Sequence, residues 1–381
     1  MSEQRILVLG GGYTGLLAAI ATAKRTREKG TRVTLVNPSP RFTERLRLHQ
    51  VAAGQELADL RIPDLLRGTG VEFVRGRVRE VDASARLVTL DDGRDLGYDT
   101  LVYALGGMAD TTTVPGVAEH AFTLNSASDA RRFAETVRLA DTAVVAGGGL
   151  TGVEAAAELA ESNPGLRVTL ISHDEPGSMM GRGARAYLRR TLARLGVEVR
   201  AGVRIAKVLP DGVELDGGEW VRSDATLWTT GVRVSPMAAR AGLTVDDKGR
   251  IVVDATLRSV SHPDVYAVGD AAAVTLSFGV MHGTCQGGIP TAAHAAANIT
   301  AQVYGKAPKP FRFGYIHQPV SLGRRDAVIQ FTRYDDSPRR LFLTGRLAVA
   351  YKEFVSSSPW KTFKLLKIYA GALVWPHDRV R

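Results

Sequence analysis

A phosphate-binding glycine signature is written twice in this chain, in nearly the same words. RILVLGGGYTGLLAA carries Gly10, Gly12 and Gly15, and TAVVAGGGLTGVEAA carries Gly147, Gly149 and Gly152. Each copy follows a short apolar β-type run and opens an alanine-rich helical run. That context turns a weak motif into a strong one. The first glycine allows a tight turn, the second lets backbone approach a pyrophosphate, and the third lets the helix pack close to the strand. The pyrophosphate then meets free N–H groups at the positive end of the helix. Two such units in one chain imply two dinucleotides, and electron transfer between them is the usual reason.

The expected fold class follows. It is α/β, with two Rossmann-like dinucleotide-binding domains and a small C-terminal region. Strands are expected at Ile6–Leu9 and Thr31–Val36, then Val71–Val74, Val78–Val81, Leu87–Leu90 and Thr100–Leu105. The first helix is expected from about Gly15 to Lys29, with Gly30 as a left-handed cap. In the second unit a helix runs to about Ser162, and strands follow at Arg167–Ile171, Gly196–Val199, Ala206–Leu209, Val213–Leu215 and Leu227–Thr230. Strand-to-glycine exits at Gly106 and Gly231 echo each other, and Val114-Pro115-Gly116 reads as a hinge. The expected boundaries are 1–112 and 236–310 for the first domain, 113–235 for the second, and 311–381 for the C-terminal region.

Composition narrows the class. The 381 residues are 45% hydrophobic and 23% charged, ordinary for a globular protein. No apolar run reaches the length of a membrane-spanning helix, and the glycine-rich N-terminus reads as structure rather than a signal peptide. A cytoplasmic location is expected. Cys285 is the single cysteine, so no intrachain disulfide chemistry is available. The net charge of +10 is concentrated after Arg312, at Arg324, Arg325, Arg339, Arg340, Arg346, Lys352, Lys361, Lys364 and Lys367. No nucleic-acid motif accompanies it, and nucleic acid is not expected as a partner.

The strand ends carry the ribose readings. Asn37 closes the second strand where an acid commonly bonds the adenosine ribose, and it also reads as the start of a turn before Pro38. The matching strand of the second unit ends at Ser172-His173. With no acid there, Ser172, His173, Arg182 and Arg185 are candidates for the 2′-phosphate of NADPH, or the arginines are solvated helix charges.

Together with the segment His262-Pro-Asp-Val-Tyr-Ala-Val-Gly-Asp270, these motifs resemble the two-dinucleotide flavoprotein reductases. Ser321-Leu-Gly-Arg-Arg-Asp326 and the basic tail are most similar to the type II NADH dehydrogenases and apoptosis-inducing-factor-like oxidoreductases. The resemblance implies FAD in the first unit, NAD(P)H in the second, and hydride transfer from nicotinamide to flavin. It implies that Gly269-Asp270 touches the flavin side of FAD, with a helix following whose N-terminus faces the cofactor; Asp270 also reads as that helix's N-cap. Val78 and Gly106 are expected against the cofactor, and Arg45, with Arg47 and His49, against phosphate or acceptor, a satisfied structural role being the other and commoner reading of His49. Glu154 is the candidate facing the nicotinamide, or an ordinary first-turn acid.

One departure stands out. Quinone-reducing relatives carry a helix beginning Ala-Gln-x-Ala-x-Gln beside the flavin. Here the stretch is Cys285-Gln286-Gly287-Gly288-Ile289-Pro290, which keeps one glutamine and replaces the other with Pro290. An acceptor pocket around His282, Cys285 and Gln286 is expected, with Cys285 either a reactive thiol or inert packing. The helix from Gln286-Gly287 is the candidate dipole. Trp360–Val374 patterns as an amphipathic helix that docks on a membrane, on the body or on a second subunit in a homodimer. The expected acceptor is a quinone or similar small molecule. A ferredoxin or rubredoxin reductase and a nucleotide-responsive redox-sensing binding protein remain as alternatives.

Overall fold

A computed structural model describes residues 3–369. Two five-stranded parallel sheets organise it. In the first, the strands run in the spatial order Val265–Ala267, Thr100–Tyr103, Arg5–Leu9, Arg32–Asn37 and Val71–Arg75. In the second the order is Glu198–Ala201, Arg167–Ser172, Thr142–Ala146, Ala225–Trp228 and Ala121–Thr123. Every pairing in both sheets is parallel. Such sheets are covered on both faces, which is why their central strands read as unbroken apolar runs rather than alternating ones.

The internal repeat extends beyond the glycine loops. Each unit carries a three-stranded antiparallel meander, Val78–Asp82 with Leu87–Leu90 and Asp95–Gly97 in one, Ile205–Leu209 with Gly212–Leu215 and Trp220–Arg222 in the other. Both have a register shift in their first pairing. The two exits also match. Gly106 and Gly231 are both left-handed, at φ 67° and 72°. The short strands that follow them, Gly107–Ala109 and Val232–Val234, pair antiparallel with each other. The crossings between the two units are thus zipped together.

The helix after the first glycine loop spans Tyr13–Thr26, and a 3-10 turn Arg27–Lys29 continues it to Gly30, left-handed at φ 63°. Its partner in the second unit spans Leu150–Ser162.

The C-terminal region is a three-stranded antiparallel sheet, His317–Ser321, Ala327–Thr332 and Pro338–Thr344, followed by a helix from Gly345 to Ile368. It straddles both units. Val320, Leu322 and Val328 belong to the core of the second, whereas Phe363 and Leu366 belong to the core of the first.

Two expectations are corrected. No α-helix follows Asp270 directly. Gly269–Ala271 is a single 3-10 turn, and the helix facing the same cleft begins only at Cys285, capped by the Thr284 hydroxyl rather than by Asp270. The C-terminal helix starts well before Trp360, and its buried face at Phe363 and Leu366 packs on the body. The remainder of the expected amphipathic stretch, including Ala370, Leu373, Val374 and Trp375, lies outside the described residues.

Candidate active site

The two glycine loops share one construction. Gly10 and Gly147 hold φ 101° and 114°, which only glycine adopts without strain. A Cβ on Gly15 would stand 1.8 Å from the Gly10 carbonyl oxygen, and one on Gly152 would stand 1.9 Å from that of Gly147. These third glycines are demanded by the fold itself. At Gly12 and Gly149 a Cβ would meet nothing within 4 Å. Bareness there leaves room for something other than protein. Both residues begin their helices without a side-chain cap, and neither helix carries an acid in its first turn. The first-turn N–H groups are therefore left for an anion.

A cleft of about 2120 Å³ runs from the first loop across to the second helix. That is more than one drug-sized ligand requires. Gly10, Gly12, Asn37, Arg45, Val78, Gly106, Gly269, Asp270, Glu154, Cys285 and Gln286 line it. Gly15, Gly147, Gly149, Gly152, Ser172 and His173 are not among its lining residues; from the second unit's helix Leu150, Thr151 and Glu154 reach it.

Asp270 stands at the centre. Burial pushes its carboxyl above the ordinary range, with the Arg45 guanidinium opposing. Among the described residues no donor bonds its oxygens. Asp270 is half-buried and borders the cleft, so its oxygens are left to meet a ligand there. Gly269 is left-handed, and its N–H donates to the Thr291 hydroxyl at 3.1 Å. Arg45 donates to the Gly107 carbonyl at 2.9 Å. A bare cradle, free helix-end donors and an unpartnered carboxylate together fit an FAD molecule, whose pyrophosphate needs donors and whose ribitol hydroxyls need an acceptor.

The helix Cys285–Val303 points its N-terminus into the same cleft. Gln286 does not offer its amide there. Its Oε1 accepts from the Ile316 N–H at 2.7 Å, and its Nε2 donates to the His317 carbonyl at 2.8 Å. It ties the helix start to the C-terminal sheet. Burial, with Asp270 adding to it, pushes the Cys285 thiol up to about 12. A thiol raised so far is neutral near pH 7, and its side chain is part-exposed along the cleft.

Glu154 meets the other wall. Lys352 from the C-terminal helix reaches its Oε1 at 2.6 Å, and the Ser321 N–H donates to the same atom at 3.0 Å. Burial opposes ionisation, yet Lys352 and His49 outweigh it and hold the carboxyl below its ordinary range. His49 is buried between Glu154 at 3.7 Å and Glu158 at 4.0 Å. Burial lowers its imidazole to about 4 despite Glu154, so it is neutral near pH 7. Arg47 pairs with Glu44 and Glu353. His49 takes its structural reading, wedged against two carboxylates of the second unit's helix, and Arg47 ties the first unit to the C-terminal helix.

At the strand ends, Asn37 accepts from the Gly11 N–H and donates to the Ser39 carbonyl, each at 2.8 Å. Both readings of this residue merge, since it shapes the turn while lining the cleft. Ser172 is turned inward and donates to the Asp174 carbonyl at 2.5 Å. His173 is exposed and contacts the Asp174 carboxylate at 3.0 Å. An acid does stand at this strand end, two residues later than the strand's last position.

Sequence reasoning missed three further lining residues, Lys352, His317 and Tyr351. Their only signal was the basic, aromatic character of a tail whose docking was unknown.

The model of the pyridine nucleotide-disulphide oxidoreductase family matches residues 4–298. An NADH dehydrogenase-like protein of Mycobacterium tuberculosis (strain ATCC 25618 / H37Rv) is 33% identical over 353 residues, covering 85% of this chain and 87% of that protein. The type II NADH:quinone oxidoreductase of Staphylococcus aureus (strain NCTC 8325 / PS 47) is 25% identical, covering 92% and 98%. Among solved structures, NDH2 from Plasmodium falciparum in complex with NADH superposes with a TM-score of 0.80 at 14% identity over 98% of this chain and 99% of that one. The sulfide:quinone oxidoreductase of Aquifex aeolicus gives 0.80 at 19% over 95% and 92%. Two paired glycine cradles, parallel sheets and a matched span of this length have one reading: the chain belongs to the pyridine nucleotide-disulphide oxidoreductase family, as an NAD(P)H dehydrogenase with FAD and NAD(P)H as its cofactors.

Proposed function

We propose that FAD lies along the first glycine loop with its ribitol side at Asp270. The nicotinamide nucleotide lies on the second loop, its reactive end toward Glu154. A quinone or similar small molecule is reduced where the Cys285–Val303 helix meets the C-terminal sheet. The carrying observation is that one cleft joins the first glycine loop, the unpartnered Asp270 and the first turns of the second helix. The names of relatives from Mycobacterium tuberculosis and Staphylococcus aureus support the donor and acceptor classes.

Bound FAD supplies the redox chemistry, accepting hydride from the nicotinamide and releasing two electrons to the acceptor. The chain supplies position and field. The helix end at Cys285 aims its positive dipole into the cleft. The Lys352–Glu154 pair places a fixed, nearly dry charge couple beside the nicotinamide end. On this reading residues 1–112 and 236–310 form the FAD domain and 113–235 the NAD(P)H domain.

The exposed side of the C-terminal helix points to a surface role. Leu347, Phe354 and Leu365 are exposed and fall in one line at helical spacing, with Lys361 and Lys364 beside them. We infer peripheral contact with anionic lipid through this stripe. Among the described residues no helix is long and apolar enough to cross a membrane.

Anaerobic mixing with NADH or NADPH, followed by stopped-flow reoxidation with a panel of acceptors, tests the proposal. Bleaching of the flavin band and faster reoxidation by short-chain quinones than by oxygen are expected. A protein that takes up no FAD, or whose flavin no nicotinamide nucleotide reduces, refutes it.

A further inference from the structure

Pro290 stands where the resemblance implies a second glutamine and is buried within its helix, so it offers the cleft no amide, and Gln286 does not replace it. Both ends of the Gln286 amide are occupied by the backbone of Ile316 and His317. The neighbouring polar groups are also engaged. Lys352 is held by Glu154 and by the Pro319 carbonyl at 3.3 Å. The Tyr315 hydroxyl accepts from the His282 N–H at 3.2 Å. One pair lining the cleft is different. His317 Nδ1 and the Tyr351 hydroxyl lie 2.7 Å apart, and among the described residues no partner bonds His317 Nε2.

We propose that His317 and Tyr351 form the hydrogen-bond donor that holds a carbonyl oxygen of the electron acceptor; this rests on the reading of the cleft given above. Proton counting carries the argument. A neutral imidazole brings one N–H and a tyrosine brings one O–H. Their mutual hydrogen bond uses one of these protons. The other is always left over. If Tyr351 donates to Nδ1, the free donor is the His317 Nε2–H. If Nδ1–H donates to Tyr351, the free donor is the tyrosine O–H. In both states the pair presents one donor, and a partly buried donor seeks an acceptor.

The premise of a neutral ring has its own support. Burial, with Lys352 nearby, lowers the His317 imidazole to about 4 against the opposing Asp336. The geometry is also fixed from outside. The two rings meet edge to face at 87°, and Tyr351 packs edge to face on Phe331 with centroids 5.9 Å apart. A ligand with only acceptor oxygens, such as a quinone carbonyl, satisfies the leftover donor. A hydroxyl-rich or ammonium-bearing ligand brings donors of its own and gains less.

The test compares two acceptors within each protein. kcat/KM is measured for 1,4-naphthoquinone and for ferricyanide, which has no carbonyl, in the FAD-loaded parent, Tyr351→Phe and the double variant Tyr351→Phe/His317→Phe. Folding or hydride-transfer defects affect both acceptors and cancel in the ratio. The quinone-to-ferricyanide ratio should fall about tenfold in the double variant, the scale of one lost hydrogen bond. It should fall less in Tyr351→Phe, which keeps one ring N–H but loses the bond that orients it. The dissociation constant of 1,4-naphthoquinone for the oxidised protein, by titration calorimetry, should rise by a matching factor in the double variant. If the parent reduces the quinone and both variants keep its ratio, this proposal alone is overturned. If the parent reduces ferricyanide and no quinone, the acceptor reading falls and takes this proposal with it.

Discussion

Replacing Lys352 with methionine should remove the charge that lets Glu154 stay ionised in a nearly dry seam. The two groups meet at 2.6 Å with side-chain exposures of 12% and 9%. Methionine keeps the aliphatic stem and deletes only the ammonium. Breaking one side of such a pair leaves an uncompensated buried charge, at about 3–5 kcal/mol. Here the lower end applies, about 3 kcal/mol, because the Ser321 N–H still donates to the same carboxylate oxygen.

The pH dependence separates this cause from lost packing. In the parent, burial raises the Glu154 carboxyl but Lys352 and His49 bring it below its ordinary value of 4.5. That depressed acid contributes stability above the unfolded value, and the contribution is lost as pH falls through the folded value. In Lys352→Met burial dominates, and the folded state resists ionisation at every pH above 4.5. The difference between parent and variant should therefore be largest at pH 7–8 and shrink as pH falls toward the parent's depressed value, below which both hold a protonated Glu154. Guanidinium unfolding of the FAD-loaded proteins, followed by far-ultraviolet circular dichroism at pH 8 and pH 4, reads this directly. Adding Glu154→Gln to Lys352→Met should recover most of the loss at pH 8, since glutamine keeps an acceptor for Ser321 without a charge. An equal loss at both pH values, or a double variant no better than the single one, would refute the charge argument.

Four further outcomes follow from the same geometry. Burial raises Glu158 to about 7 despite its bond from Gln55, so the folded state holds a proton that the unfolded chain releases near 4.5. Stability should then fall by up to about 3 kcal/mol as pH rises from 4.5 to 7, and Glu158→Gln should flatten that limb of a urea-midpoint profile. Gly12→Val should leave the melting temperature of FAD-free protein unchanged while abolishing FAD uptake, because a side chain there meets only the space of the ligand. Gly15→Ala, by contrast, should destabilise the FAD-free fold by about 2 kcal/mol or more, since its Cβ collides with the Gly10 carbonyl. Asp174→Ser should raise kcat/KM for NADPH relative to NADH, because the exposed Asp174 carboxylate beside His173 repels a 2′-phosphate; an unchanged ratio would show that the adenosine ribose lies elsewhere.

What was legible in the sequence was what short-range sterics dictate. The glycine loops announce themselves because the third glycine of each nearly touches the carbonyl of the first, five residues away, and no other residue fits. The matching exits at Gly106 and Gly231 are visible for a related reason, a left-handed turn after an apolar strand. Even there the sequence is silent on their outcome, since the pairing of Gly107–Ala109 with Val232–Val234 joins segments more than a hundred residues apart. The acceptor end was illegible for the same cause at greater range. Glu154 meets Lys352, and Gln286 braces His317, only because the C-terminal sheet and helix dock across both units. Periodicity placed Phe363, Leu365 and Leu366 together on one apolar side, yet periodicity has no origin of phase. The packing partner supplies it. Phe363 turns in against Phe42, with ring centroids 6.0 Å apart, and Leu366 follows it into the first core. That rotation necessarily carries Leu365 outward, in line with Leu347 and Phe354. Of the three docking places open to that face, it takes the body, and the stripe left outside is set by where Phe42 lies. A helix read alone gives its amphipathicity, whereas the direction of its apolar side is a property of the protein it packs against.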